Sequence, residues 1–571
     1  MKRAGIYSAI LATVVGLFGA ALPRAEAASF VVTNLNDSFA GSLRQAIADA
    51  NTNADETNTI YFEEVSGTIT LTSGELQITK SLSIFGPGAG TLTVSGNNAS
   101  RVFHAIATNM DVVISDLTIS GGNTYNGSTY EPGGGIYVDY ANGTMTLRNM
   151  VIENNTAGLG GGIYSSYATM TLINSTVRNN HLQSPPSSDG SFGAGIFART
   201  ATIQGSTISG NSKTGAGTGG GIYVMNGNGL TVTNSTISGN SMDQMGGIRS
   251  YNTDVSLMNV TITGNTATNL SLGSGGISIG SYDGSNLLSI TNTIFSGNMS
   301  GGTPVNCAFS NLTPSSGGGN IDDGTTCGLN AASDMQSTDP QLGSLADNGG
   351  LTMTYAPLLV PLSPAIDGGV NTGAPPTDQR GWPRPWNPTV DSGAVEFMLP
   401  SLLTVDKGSS TGHGRILSSP PGIDEGINTA SDSAYFPYNR RVTLAAIASG
   451  LSIFTGWSGT GCGDSVLMST GKNCTATFTY CGSDPVLLLG DATYASIAEG
   501  FNHVDTLHQN LRVTASNRIG DLNLYTNTYA NQIHGGYDCG FANQIGYTYV
   551  SGVVTIGGFS GSVTLDRIII M

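Results

Sequence analysis

The acidic side chains are the first candidates for chemistry in this chain. On its repetitive stretch they are Asp111, Asp116, Asp139, Glu153, Asp243, Asp254 and Asp283. Glycoside hydrolysis needs two carboxylates at a defined separation, and a polysaccharide lyase needs Ca²⁺ on clustered acids plus a basic proton acceptor. These acids scarcely recur at equivalent positions. Asp139 and Asp254 each follow a Gly-Gly-Ile segment, by three and six residues, but four repeats apart they stand ~20 Å from one another at a strand spacing of about 4.8 Å. Arg148, Arg178, Arg199 and Arg249 are equally isolated. The expectation for each of these charges is a solvated surface position.

His104, His181, His413, His503, His508 and His534 show no metal-ligand grouping, and no Gly-x-Ser-x-Gly elbow occurs. No catalytic, cofactor-binding or metal-binding residue is therefore assigned, and no cofactor is implied. The aromatic residues carry more information. Tyr137, Tyr164, Phe197 and Tyr223 each follow an isoleucine directly. If the isoleucines point inward, strand alternation sends these rings outward as a ladder. Such a ladder either contacts sugar rings or lies under loops as a satellite core.

The elements that must position these residues are repeats. Openings place isoleucines at Ile136, Ile163, Ile196, Ile222, Ile248 and Ile277, each preceded by glycine. Closures end at Asn155, Asn180, Asn211, Asn240, Asn265 and Asn298. Between them run alternating strands such as 145–147 with 151–152, and 230–232 with 236–237. Asn149, Asn174, Asn234, Asn259 or Asn292 stands at the bend and is expected to bond from rung to rung. A period of 25 to 33 residues with about three short strands is too short for a four-stranded propeller blade. It predicts an all-β fold, a right-handed parallel β-helix followed by small β modules.

Composition narrows the setting. The formal charge is −17 with 21 Lys and Arg against 38 Asp and Glu, and only 10% of residues are charged. Nucleic acid needs clustered cations, so it is excluded as a partner. Lys2 and Arg3, the apolar stretch 6–22 and the small-x-small site at Ala25–Ala27 predict a cleaved signal peptide over 1–27. No later segment reaches 18 apolar residues, so the mature chain is expected to lack an integral membrane span. The cysteines, all after residue 300, fit an oxidising destination. The local pairing is Cys307–Cys327, Cys462–Cys474 and Cys481–Cys539.

Six segments follow. After the signal peptide, 28–96 is an N-terminal cap with the first rungs. Its helix begins at a capping box, Ser42 to Gln45, and buries Leu43, Ala46, Ile47 and Ala50. Residues 97–306 are the repeats, and 307–397 are closing rungs wrapped by a proline-rich cap. Residues 402–480 form a small β module anchored by Trp457. Residues 485–571 form a C-terminal β module with strand 486–489, a helix over 492–498 and strands 553–556 and 563–570. Its grammar resembles the start of another β-helix. Its edge at 568–571 is expected to dock on the 402–480 module, on a second copy or on another envelope protein.

Family resemblances overlay these segments. Gly41-Ser42-Leu43-Arg44-Gln45-Ala46-Ile47 looks like the Cys-Ser-Leu-Arg-Glu-Ala motif of bacterial secreted β-helix proteins, with Gly41 and Gln45 as departures. The rungs are similar to the pectin-lyase-like superfamily and to polymorphic outer-membrane protein repeats. Thr338-Asp339-Pro340, residues 345–350, 363–367 and 391–396 closely resemble a choice-of-anchor segment. Residues 419–424 and 454–459 look like a bacterial surface repeat. These resemblances imply a secreted or cell-surface protein. The leading expectation is a non-catalytic scaffold for adhesion or contact with polysaccharide or envelope glycan. The alternative is an extracellular polysaccharide lyase or glycoside hydrolase.

Overall fold

The computed structural model describes residues 28–480 apart from 55–56, 126–130, 140–141, 184–189, 214–216, 270–272, 399–400, 428, 437–439 and 450–451, and after 480 mainly the strands between 486 and 570. The expected signal peptide and the Cys481–Cys539 bridge lie outside the described residues. The chain divides into two compact units, Met1–Phe397 and Met398–Met571.

The first unit is built around a right-handed parallel β-helix. Each full turn lays down three strands that pair in parallel with the turns on either side. One sheet carries the strands after the glycine openings, from Leu76–Ile78 through Phe103–Ala105 and Ile136–Val138 to Ile277–Gly280 and Cys307–Ser310. A second includes Ala28–Val32, Asp111–Ser115, Thr144–Arg148 and Ser315–Gly318. The third includes Gly67–Thr70, Thr118–Ser120, Val151–Glu153 and Ile321–Asp322. Register is kept by the inward apolar column. The six opening isoleucines pair turn upon turn, and all are fully buried. A slip of one residue would turn that column out to water. Two-residue strands, such as Thr156–Ala157 and His181–Leu182, form a further sheet just after the closing asparagines. They are too short to show any alternation in the sequence.

Two turns per coil rely on left-handed backbone. Asn149, Asn174, Asn234, Asn259 and Asn292 have φ of 52°, 50°, 47°, 53° and 50°, a conformation asparagine tolerates. The expected ladder of bonds through this turn is only fragmentary, with Asn149 donating to Asp116 at 2.8 Å and Asn292 to Asn259 at 3.4 Å. The continuous ladder runs instead through the closing asparagines. Asn155, Asn180, Asn211, Asn240, Asn265 and Asn298 are at most 1% exposed. Each donates its side-chain amide to the next, ending on Asn306, at 2.8–3.0 Å. Sealed from water, these amides must find protein partners, and one turn up is the nearest acceptor.

The N-terminal cap contains helix Leu43–Thr52, with Leu43, Ala46, Ile47 and Ala50 buried as expected. The capping box is half formed. Ser42 Oγ accepts from the Gln45 amide at 3.2 Å, but Gln45 Nε2 turns to Asp49 at 2.7 Å. The Ser42 amide donates instead to the carbonyl oxygen of Phe39. Asn51 serves the open edge of strand Leu76–Ile78. It donates to the Gln77 carbonyl at 2.7 Å and accepts from the Thr79 amide at 2.9 Å.

Residues 352–397 run back along the solenoid as a strap over the bends at Gly205, Asn234, Asn259 and Asn292 on four successive coils. Val370 O accepts from Asn292, Asp391 O and Gly393 O from Asn259, and Thr377 O from Asn234. Thr352 and Gln379 reach the earlier turn at Gly205 and Ser206. The strap is fixed internally by buried charges. Arg380 pairs with Asp378 at 2.7 Å and Arg384 with Glu396 at 3.4 Å. Asp391 accepts from the amides of Asp367 and Phe397, and Glu396 from those of Trp386 and Asp391. Cys307 and Cys327 are bridged.

In the second unit, Ser401–Asp406, Ser431–Phe436, Ser452–Ser458 and Lys472–Tyr480 form one four-stranded sheet. His413–Ser419, Asp424–Glu425, Arg441–Ser449 and Ser465–Leu467 form another. Both contribute to one core containing Leu403, Val405, Ile416, Val442, Leu444 and Phe478. Trp457 is not its anchor. The indole is partly buried, with Nε1 donating to an exposed Asp464 at 2.9 Å, whereas Phe478 is fully buried. Cys462 and Cys474 are bridged. Further on, Asn510–Thr514, Asn531–Tyr537 and Val563–Asp566 pair in parallel, as do Asn517–Ile519, Thr548–Ser551 and Ile568–Ile570, and Leu522–Tyr525 with Val554–Gly557. Of the helix expected over 492–498, Ile497 is helical, but Thr493–Tyr494 is a strand antiparallel to Val486–Leu488. Strand pairing and the β preference of Thr and Tyr prevail there.

Candidate functional site

Alternation on the first sheet produces one outward row along the axis. In register from turn to turn it reads Gln77, His104, Tyr137, Tyr164, Phe197, Tyr223 and Arg249. Glycine seats the rings. Gly160, Gly193 and Gly219 have φ of 56°, 66° and 74°, and a Cβ on Gly160 would stand 2.5 Å from Ile163 O and 2.7 Å from Tyr164 Cβ. Only a residue without a side chain lets the opening loop fold back this tightly against the row.

The rings mostly stack upon one another. His104 lies on Tyr137 at 4.6 Å, Tyr164 on Phe197 at 4.5 Å and Phe197 on Tyr223 at 5.5 Å, with interplanar angles of 8° to 15°. Tyr137 meets Tyr164 edge to face at 5.5 Å, and Phe192 covers Tyr223 at 4.9 Å. Phe197 and Tyr223 are only 7% and 6% exposed, while Tyr137 and Tyr164 are half-buried. Ring faces in the row are thus largely spent on each other. What it offers outward is ring edges and the phenolic groups. Burial raises the pKa of Tyr137, Tyr164 and Tyr223 above the ordinary phenol value, helped at Tyr137 by Asp139, which accepts a hydrogen bond from its hydroxyl. All three stay neutral donors at physiological pH.

Charges flank the row. At its head Glu75 accepts from His104 Nδ1 at 2.8 Å and pairs with Arg101. The Arg101 guanidinium also lies over Tyr137 at 4.9 Å. The Glu75 carboxyl is held down at about 2, because bonds from His104 and Gln77 and the Arg101 charge outweigh its burial. An acid so fixed in its ionised form cannot donate a proton to a leaving group. Downstream, exposed Arg199 lies over Tyr167, whose ring is 57% exposed, at 4.8 Å. Arg249 lies over Tyr251 at 5.7 Å and donates to Ser278 at 3.0 Å. Burial lowers the Arg249 pKa, and no carboxylate among the described residues forms an ion pair with it.

The seven acids singled out in the sequence are not brought together. Five tie one turn to the next. Asp111 accepts from Thr144, Asp116 from Asn149 and Asp254 from Leu287, Glu153 pairs with Arg178 at 2.7 Å, and Asp243 accepts from Thr268 at 3.4 Å. Asp283 closes a local turn on Ser285, and Asp139 alone flanks the row. Among the described residues no group of three or more His, Cys, Asp or Glu could hold a metal ion. The Glu75–His104–Arg101 cluster was not visible in the sequence. Glu75 lies one turn and 26 and 29 residues before Arg101 and His104, and only the expected register of 76–78 under 103–105 could have exposed the cluster.

Residues 160–316 match the right handed beta helix region. This stretch holds Tyr164, Phe197, Tyr223 and Arg249. No curated protein is similar to the chain. Among solved structures, the crystal structure of pectate lyase Pel9A is similar at 14% identity, over 65% of this chain and 97% of that one, with a TM-score of 0.39.

Proposed function

We propose that this protein is a secreted or cell-surface β-helix that holds a glycan chain along the first sheet without cleaving it. The observation that carries this reading is the row from His104 to Arg249. It sets one side chain on each turn, polar-tipped at every position but Phe197, at a spacing of about 4.8 Å, close to the advance of a sugar unit in an extended chain. Phenolic hydroxyls, Arg199 and Arg249 supply donors, and Tyr167 supplies an open ring face. Retention of soluble polysaccharides by the immobilised protein tests it. The wild type should hold at least one polymer that a Tyr164→Ala/Tyr167→Ala double variant releases. Equal retention by both would sink the proposal.

One observation favours a catalytic second reading. Arg249 is half-buried, burial lowers its pKa, and among the described residues it forms no ion pair, all of which ease the proton loss that a basic acceptor in eliminative cleavage would need. Unsaturated sugar products released by the wild type from pectins or alginate, with or without Ca²⁺, and lost in Arg249→Lys, would replace binding with turnover.

A further inference from the structure

The row has a closed end. Its first member, Gln77, lies on the edge strand Leu76–Ile78, and helix Leu43–Thr52 is fastened over that edge by Asn51. Between the helix and residues 73–77 a cleft of about 440 Å³ remains, lined by Arg44, Ala48, Asn51, Ser73, Glu75 and Gln77 among others. That volume lies within the range of small-molecule sites. The cleft is one strand spacing from His104, and Glu75 belongs to both places, since it lines the cleft and also holds His104 and Arg101. A chain laid along the row from the Arg249 end therefore arrives at a wall with a recess in front of it.

We propose that this recess receives one end of a neutral glycan chain, so that the groove recognises chain ends rather than chain interiors. This rests on the glycan reading of the row. The lining chemistry argues for an uncharged sugar. The Arg44 guanidinium is consumed by Asp37 and by the carbonyls of Gly74 and Glu75. The Glu75 carboxylate is likewise taken up by Arg101, His104 and Gln77, so both charges lining the cleft are already paired and neither is left to bind a uronate. Gln77 and Ser73 are exposed and add an amide and a hydroxyl. Among the described residues no such helix covers the opposite end of the sheet, so the two ends of a bound chain meet different surroundings.

Calorimetric titration of the full chain with xylohexaose, cellohexaose and mannohexaose tests this, each sugar used intact, blocked at its reducing end and blocked at its non-reducing end. For the sugar that binds, blocking one particular end should weaken binding at least tenfold, and blocking the other should change it less than twofold. Ala48→Trp, which fills the recess from an exposed helix position, should weaken the intact sugar to the level of the blocked one. Gln77→Ala should do so in part while leaving the melting temperature unchanged. If both blocked forms and Ala48→Trp bind within twofold of the intact pair, end recognition is wrong while the glycan row stands. If no polymer or oligosaccharide binds the wild type, the row reading fails and end recognition fails with it.

Discussion

The side-chain amide of Asn155 donates to the side-chain oxygen of Asn180 at 2.9 Å, one full coil and 25 residues away. The same oxygen also accepts from the Asn155 backbone amide at 3.0 Å. From Asn180 to Asn298 each asparagine in the column thus supplies the acceptor for two donors of the coil before it, inside a wall that excludes water.

Replacing a central member should therefore cost more than a single surface hydrogen bond. Asn211→Ala strips the acceptor from the backbone and side-chain amides of Asn180 and the donor from Val177 O. At 1–3 kcal/mol for each buried group left unpaired, the loss is on the order of 3 kcal/mol or more. Urea unfolding of the β-helix, followed by circular dichroism, should show the midpoint falling with little change in slope.

The strap should loosen as pH rises. Asp391 is pushed up to about 7 by burial and by the neighbouring Glu396 charge, and Glu396 is raised by burial as well. A carboxyl raised in the folded state stabilises it below the ordinary carboxylate range, and that contribution is lost as pH climbs through the raised value. Amide protection at residues 367–397 should fall progressively between about pH 4 and 7, after correction for intrinsic exchange, and protection within the inner coils should not. Uniform protection across that window would contradict the assignment.

Two aromatic changes separate packing from contact. Phe197→Ala removes a buried ring stacked on both sides and should destabilise by about 3 kcal/mol or more. Tyr167→Ala removes an exposed ring and should cost no more than about 0.5 kcal/mol, yet reduce polysaccharide retention. Thermal melts alongside retention assays distinguish the two.

Reduction should act on the second unit. Cys462–Cys474 closes a loop of 12 residues, for which chain-entropy reasoning gives about 3 kcal/mol. Dithiothreitol should lower the denaturation midpoint of the 401–480 module, and a Cys462→Ser/Cys474→Ser variant should match the reduced protein.

The solenoid was legible because its rules are local. Inward isoleucine, alternating strand, left-handed asparagine and closing asparagine all lie within one period, and each appears in the structure where the pattern puts it. Which asparagines bond from coil to coil was not legible, since both columns recur and only burial distinguishes Asn180 from Asn174. Alternation also gave the direction of Tyr164 and Phe197 but not the tilt of their rings, which decides whether faces or edges meet solvent. The strap was the least accessible part. Gln379 bonds to Ser206 across 173 residues, and no periodicity links such positions.

That long return has a mechanical consequence. A stack whose coils touch only their neighbours can fray one coil at a time from either end. The strap is fastened to four successive turns, at Gly205, Asn234, Asn259 and Asn292, so none of these can peel away while it holds. Pulled or heated, this portion of the β-helix should give way as a block, and the length of that block is set by the reach of the strap rather than by the size of a coil.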